Sequence, residues 1–254
     1  MVYYKGIRRE NAIAEKRLFL AVYGGCGIIT LLMITLLRSG HMNTYLFDFD
    51  GTLVDSMPTY AGMMLGILRE NNVAHEPDII KIITPLGYAK TAELFASMGL
   101  NKPAQEILSI MNERAVAAYT HDVPAKEHVI DALLRLKARG DDLNVLTASP
   151  HAMLDPCLKR LGVWDLFTHV WSCDDFGTTK ADPKIYRMAA EQIGRPVDEI
   201  WFLDDNLGAD TTATAAGMRV CGVYDLSSAE YTKQIQAVCD AYIEDFSQIE
   251  RLDG

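Results

Sequence analysis

The chain alternates between two kinds of apolar pattern. Residues 44–49 (TYLFDF), 143–148 (LNVLTA), 199–203 (EIWFL) and 218–223 (MRVCGV) are short, largely apolar at consecutive positions and rich in branched and aromatic side chains. Such runs predict strands buried on both faces. Residues 125–139, 151–161, 182–193 and 208–216 instead repeat apolar positions at helical spacing. Strands separated by helices predict an α/β fold, a doubly wound parallel sheet with helices on both faces. Polar residues stand at the strand ends: Asp48 and Asp50 end the first, Thr147 and Ser149 the second, and Asp204 and Asp205 the third. In open parallel sheets the ligand crevice lies at the carboxyl ends of the strands, so these groups are expected to meet there.

Residues 57–123 break the alternation. They hold amphipathic helical stretches at 60–70, 89–98 and 104–119 and no convincing strand. This predicts a smaller all-helical domain at 57–123, inserted directly after the first strand and tethered near 56–60 and 121–125. The core domain would then comprise 42–56 and 124–254. Residues 1–41 form a separate N-terminal extension. Within it, 18–37 is apolar and free of charge, long enough for the about 20 residues a membrane-crossing helix needs. Lys5, Arg8, Arg9, Lys16 and Arg17 precede it and Arg38 follows, which would keep the N-terminus on the cytoplasmic side. Two readings follow: a membrane-anchored protein, or a cytoplasmic one whose working chain starts at Met42.

Composition narrows the function more than the fold. The 254 residues are 49% hydrophobic and 23% charged, as in an ordinary globular protein. A net charge of -10, with no basic block interleaved with aromatics in the body of the chain, argues against a nucleic-acid partner. An anionic substrate would therefore need positive charge supplied locally, by a metal ion or a particular lysine. The cysteines number 5 and are widely spaced without a CxxC, which argues against a disulfide framework or a zinc site. The histidines show no metal-ligand spacing, and His151 reads as a surface residue at a helix start.

The stretch LFDFDGTLVDS at 46–56 is the chemical focus. Two carboxylates at the end of a buried strand are costly, because desolvation and mutual repulsion both oppose ionisation. A hard cation bound through oxygen offsets that cost, and Mg2+ typically takes one or two carboxylates while water and phosphate oxygens fill the rest of its shell. Asp48, Asp205 and either Asp204 or Asp210 suit such a site. A carboxylate beside a cation can also attack a phosphoryl group.

The segment DFDGTLVDS at 48–56, Thr147 at the end of a hydrophobic strand, Lys180 and the Asp204-Asp205 pair resemble the motifs of the haloacid dehalogenase superfamily, specifically its phosphatase branch. The similarity covers residues 42–245, including SCDDFGTTKADPKIY at 172–186 and DDNLGADTTATAAGM at 204–218. The resemblance implies Asp48 as the nucleophile that forms an aspartyl-phosphate. It implies Asp50 as the general acid and base, and Thr147 and Lys180 as partners of the transferring phosphoryl group. It further implies a Mg2+ cofactor held by Asp48, the Asp50 backbone carbonyl and Asp205, with help from Asp204 or Asp210. Within that resemblance an acid at position 50 favours phosphate-ester hydrolysis or mutase chemistry over dehalogenation, Gly51-Thr52 leans toward hydrolysis over the mutases, and the helical insert resembles a C1-type cap. The phosphoglycolate phosphatases are the first expectation, and a sugar-phosphate mutase of the β-phosphoglucomutase type is the alternative. A non-catalytic membrane-tethered module comes last, because every required side chain is present. The chain departs from the family at Lys180-Ala181, where Lys-Pro is frequent, and at Asp204-Asp205, where Gly-Asp or Glu-Asp is usual.

Other residues have plainer readings. Asp210 also suits a helix N-terminal acid, Lys184 competes with Lys180, and Ser149 is expected to cap the helix that follows or to face the crevice. Trp164, Trp171 and Trp201 are expected in the core. The stretch ITPLGYAKTAELF at 82–94 offers Tyr88 and Lys90 as substrate-reading residues at a helix start.

Overall fold

A computed structural model describes residues 42–252, so the apolar segment at 18–37 and the choice between anchor and extension lie outside the described residues. Among the described residues no helix is long and apolar enough to cross a membrane.

Strands β1 (Thr44–Phe47), β2 (Asp142–Thr147), β3 (His169–Ser172), β4 (Ile200–Asp204), β5 (Arg219–Val223) and β6 (Ala241–Ile243) form one 6-stranded sheet in the order β3-β2-β1-β4-β5-β6. Every neighbouring pair is parallel. Phe47 is in register with Val145 on one side and Leu203 on the other, so β1 is central. The alternation of side chains along each strand builds two cores. Tyr45, Phe47, Leu143, Val145, Trp201 and Leu203 face one layer, and Leu46, Leu146, Ile200, Phe202 and Val220 face the other. The sheet is buried on both sides, which is why its strands carry consecutive apolar residues.

Helices α1 (Met57–Glu70), α2 (Ile79–Ile83), α3 (Gly87–Ser97) and α4 (Ala104–His121) follow β1. They share their own apolar cluster, built around Met64, Leu68, Phe95, Ile107 and Met111. After them come α5 (Val129–Arg139), α6 (His151–Arg160), α7 (Cys173–Phe176), α8 (Lys184–Ile193), α9 (Leu207–Ala216) and α10 (Thr232–Val238). Leu133 and Leu136 of α5 and Leu154 and Leu158 of α6 cover one face of the sheet, and Ile185 and Ala189 of α8 with Ala213 of α9 cover the other.

Several boundaries differ from the sequence pattern. β1 stops at Phe47, and the chain then turns through Gly51, whose φ is +76. α5 begins at Val129 rather than 125: residues 125–128 form a linker ending in His128 at φ 65, outside helical geometry. Ser149 does not cap α6, whose N-cap is Pro150 in extended backbone without a side-chain bond. Edge strands β3 and β6 and the short α2 and α7 were not predicted by periodicity.

Candidate active site

Strand order reverses direction around β1, so the crevice opens where β1, β2 and β4 end. Asp48 leaves β1 there with its N–H bonded to the Leu203 carbonyl at 2.8 Å. Its carboxylate Oδ1 accepts from Lys180 Nζ, which also donates to Asp204 Oδ2 at 2.7 Å. Asp204 closes β4, and its Oδ1 accepts from the Asn206 N–H at 2.8 Å, which holds the turn into α9. Ligand oxygens of Asp48, Asp204 and Asp205 lie within 4.8 Å of one another. All three residues are at most 9% exposed. Lys180 is fixed from behind as well: Tyr186 of α8 donates its hydroxyl to the Lys180 carbonyl at 3.1 Å.

Gly51 makes this convergence sterically feasible. A Cβ there would lie 2.6 Å from Asp205 Oδ1. With φ at +76 as well, the position suits glycine alone. Lys126, from the linker before α5, ties the same loop down. Its Nζ donates to the Gly51 carbonyl at 2.6 Å, to the Tyr224 carbonyl at 2.6 Å and to Asp225 Oδ2 at 2.9 Å.

Asp50 is held by two hydroxyls. Tyr119 of α4 donates to its Oδ1 and Ser149 Oγ donates to its Oδ2 at 2.5 Å. Thr147 ends β2, buried, with Oγ1 accepting from the Ser149 N–H at 3.1 Å. Tyr88 is half-buried and stacks on Tyr60 with ring centroids 6.0 Å apart, while Lys90 is exposed. Lys184 is exposed at the start of α8, so of the two candidate lysines only Lys180 reaches Asp48. Asp210 does not join the oxygen cluster. It is fully buried, and neither of its oxygens has a hydrogen-bond partner. The Cys239 thiol favours its ionised form without closing a bond of good geometry.

Burial and mutual repulsion oppose ionisation of the clustered carboxylates. Burial pushes Asp48 up to about 8; Lys180 opposes this, and Asp204 adds to it. Burial, then the Asp204 and Asp48 charges, holds Asp205 well above the usual carboxylate range. Burial and Asp204 push Asp210 up to about 8. Burial alone would lower Lys180, but Asp204 and Asp48 outweigh it and keep the ammonium charged far above neutral pH. One lysine cannot neutralise three buried carboxylates once they ionise, and a hard divalent cation fits that all-oxygen donor set.

A stability test follows from these values. Asp48 and Asp210 keep their protons to about pH 8 in the metal-free fold, whereas an unfolded aspartate ionises near 4. Between those values the folded state binds more protons than the unfolded state, so stability falls as pH rises. In EDTA the urea midpoint is expected to be higher at about pH 5 than at about pH 8, and excess Mg2+ is expected to raise it again at about pH 8. Equal midpoints in EDTA would show that these carboxylates are not strained by burial.

Sequence reasoning missed Tyr119 and Lys126. Tyr119 reaches Asp50 across 69 residues of sequence separation and Lys126 reaches Gly51 across 75. No local pattern marks either contact.

Residues 42–217 match the haloacid dehalogenase-like hydrolase family. A phosphoglycolate phosphatase from Salmonella typhi is 28% identical over 204 residues, covering 70% of this chain and 79% of its own. Two crystal structures share the fold. A proposed β-phosphoglucomutase from Thermotoga maritima aligns with TM-score 0.71 at 19% identity, covering 83% of this chain and 98% of that one. A predicted phosphoglycolate phosphatase from Haemophilus somnus aligns with TM-score 0.70 at 20% identity, covering 85% and 100%. The convergent carboxylates and lysine at the strand ends thus stand on a fold and a sequence that agree: the chain belongs to the haloacid dehalogenase-like hydrolases.

Proposed function

We propose that this chain is a Mg2+-dependent phosphatase of small phosphomonoesters that works through an aspartyl-phosphate on Asp48. The observation that carries the reading is the Lys180 ammonium bound to Asp48 beside the cluster formed with Asp204 and Asp205. The likeness to phosphoglycolate phosphatases supports a small phosphorylated alcohol as substrate.

In this mechanism an Asp48 oxygen attacks phosphorus as the bond to the leaving oxygen breaks. Lys180 lies against the same carboxylate and would neutralise charge on the transferring group, with Thr147 donating its buried hydroxyl. Asp50 would give its proton to the leaving oxygen and then take one from the water that cleaves the aspartyl-phosphate. Asp48, Asp204, Asp205 and the Asp50 carbonyl would hold Mg2+, which supplies charge neutralisation for phosphate oxygens. Helices α1 to α4, at 57–121, would act as a cap that excludes water and reads the leaving group, with Tyr88 and Lys90 as substrate-reading residues.

The test is phosphate release by the purified 254-residue chain from glycolate, glycerol and hexose phosphates, nucleotides and p-nitrophenyl phosphate. Release is expected to need Mg2+, to stop in EDTA and to return on re-addition. Isomerised sugar phosphate without free phosphate would point to the mutase. Release that is indifferent to EDTA would overturn the metal assignment.

A further inference from the structure

Asp50 is bonded from two independent parts of the chain. Tyr119 approaches Oδ1 from the last turns of α4, and Ser149 approaches Oδ2 from the segment between β2 and α6. Neither hydroxyl is loosely placed. The Tyr119 ring packs on Phe49 with centroids 5.9 Å apart, and its carbonyl accepts from Arg160 at 3.4 Å. Burial and the nearby Asp50 charge hold the phenol far from ionisation, so it stays a donor. The Ser149 N–H is anchored on Thr147 Oγ1. A carboxyl group that must hand a proton to one atom is effective only when its orientation is fixed. With both oxygens claimed, its rotation is fixed.

We propose that Tyr119 and Ser149 are positioning residues for Asp50: together they fix the orientation from which its carboxyl group protonates the leaving oxygen. As the P–O bond breaks, the Asp50 proton passes to the leaving alkoxide. Because the two hydroxyls meet different oxygens of Asp50, both contacts can persist as the proton leaves. The inference rests on the phosphatase reading and adds to it that a residue of the helical segment, Tyr119, serves the acid directly.

The discriminating quantity is the ratio of kcat/KM for an alkyl ester to that for an aryl ester. An alkoxide needs a proton to leave, whereas p-nitrophenolate departs without one. The experiment takes the fastest of the glycolate, glycerol and hexose phosphates and compares it with p-nitrophenyl phosphate, using the full chain with Mg2+. Tyr119→Phe, which keeps the ring on Phe49, and Ser149→Ala are each expected to lower the alkyl-to-aryl ratio about tenfold, and Asp50→Asn to lower it further, within the range general acid catalysis supplies. A merely structural role would depress both esters alike, so an unchanged ratio in both variants overturns the proposal. If one variant does not fold, the other carries the same test. A wild-type chain that hydrolyses neither ester overturns the phosphatase reading itself, an outcome visible before any variant is made.

Discussion

Asp48→Asn is expected to abolish phosphate release, by roughly 10^4-fold or more, as losses of catalytic nucleophiles do. The amide cannot form the acyl phosphate, and the Asp48 position is the end of the central strand, with its N–H on the Leu203 carbonyl. Among the described residues no other carboxylate leaves the end of β1 in contact with Lys180. Asp204 is bound to Lys180 and the Asn206 N–H, and Asp50 is bound by Tyr119 and Ser149. The fold should survive the change. Burial already opposes ionisation of Asp48, so replacing it with a neutral side chain of the same shape removes a cost. In EDTA at about pH 8 the variant is expected to unfold at a urea concentration no lower than wild type. Activity within tenfold of wild type would place the nucleophile elsewhere. Lost activity together with lost stability would mean that Asp48 is structural.

Much of this site was legible in the chain because chemistry and topology left marks at the same positions. A parallel sheet buried on both faces forces consecutive apolar residues, and any polar group at the end of such a run stands out, as Asp48, Thr147 and Asp204 do. What stayed hidden lacks such a mark. β3 reads HVWS, with His169 and Val170 half-buried at the sheet edge, and β6 has three residues, so neither forms a long apolar run. Tyr119 looked like any aromatic on an amphipathic helix, and Lys126 like any linker lysine, because their partners are set by how the helical segment returns to the core. The division of labour among the acids was also open in sequence. Asp210 suited the helping role as well as Asp204 did, but its carboxylate is buried without a hydrogen-bond partner and is not among the clustered oxygens. Asp204 is the acid that converges with Asp48 and Asp205.

Lys180→Met should separate the two electrostatic tasks of the site. Its ammonium is the direct counterion of both Asp48 and Asp204, with side-chain exposures of 14%, 7% and 1%. Removing one partner of so buried a group leaves the other uncompensated, a loss of about 3–5 kcal/mol in comparable ion pairs. Phosphate release is expected to fall roughly 10^2- to 10^3-fold, the scale of losing one preorganised donor to a transferring group. Cation binding should move the other way. With the competing positive charge gone, the three carboxylates attract Mg2+ more strongly, so added Mg2+ should raise the urea midpoint of the variant by more than that of wild type. Lys184→Met, on the exposed start of α8, is expected to change neither quantity. A lysine that merely held the fold together would lose activity and metal protection in parallel. A lysine that serves the phosphoryl group beside a separate cation site loses the first and strengthens the second, because the same positive charge that assists transfer competes with the metal for Asp48.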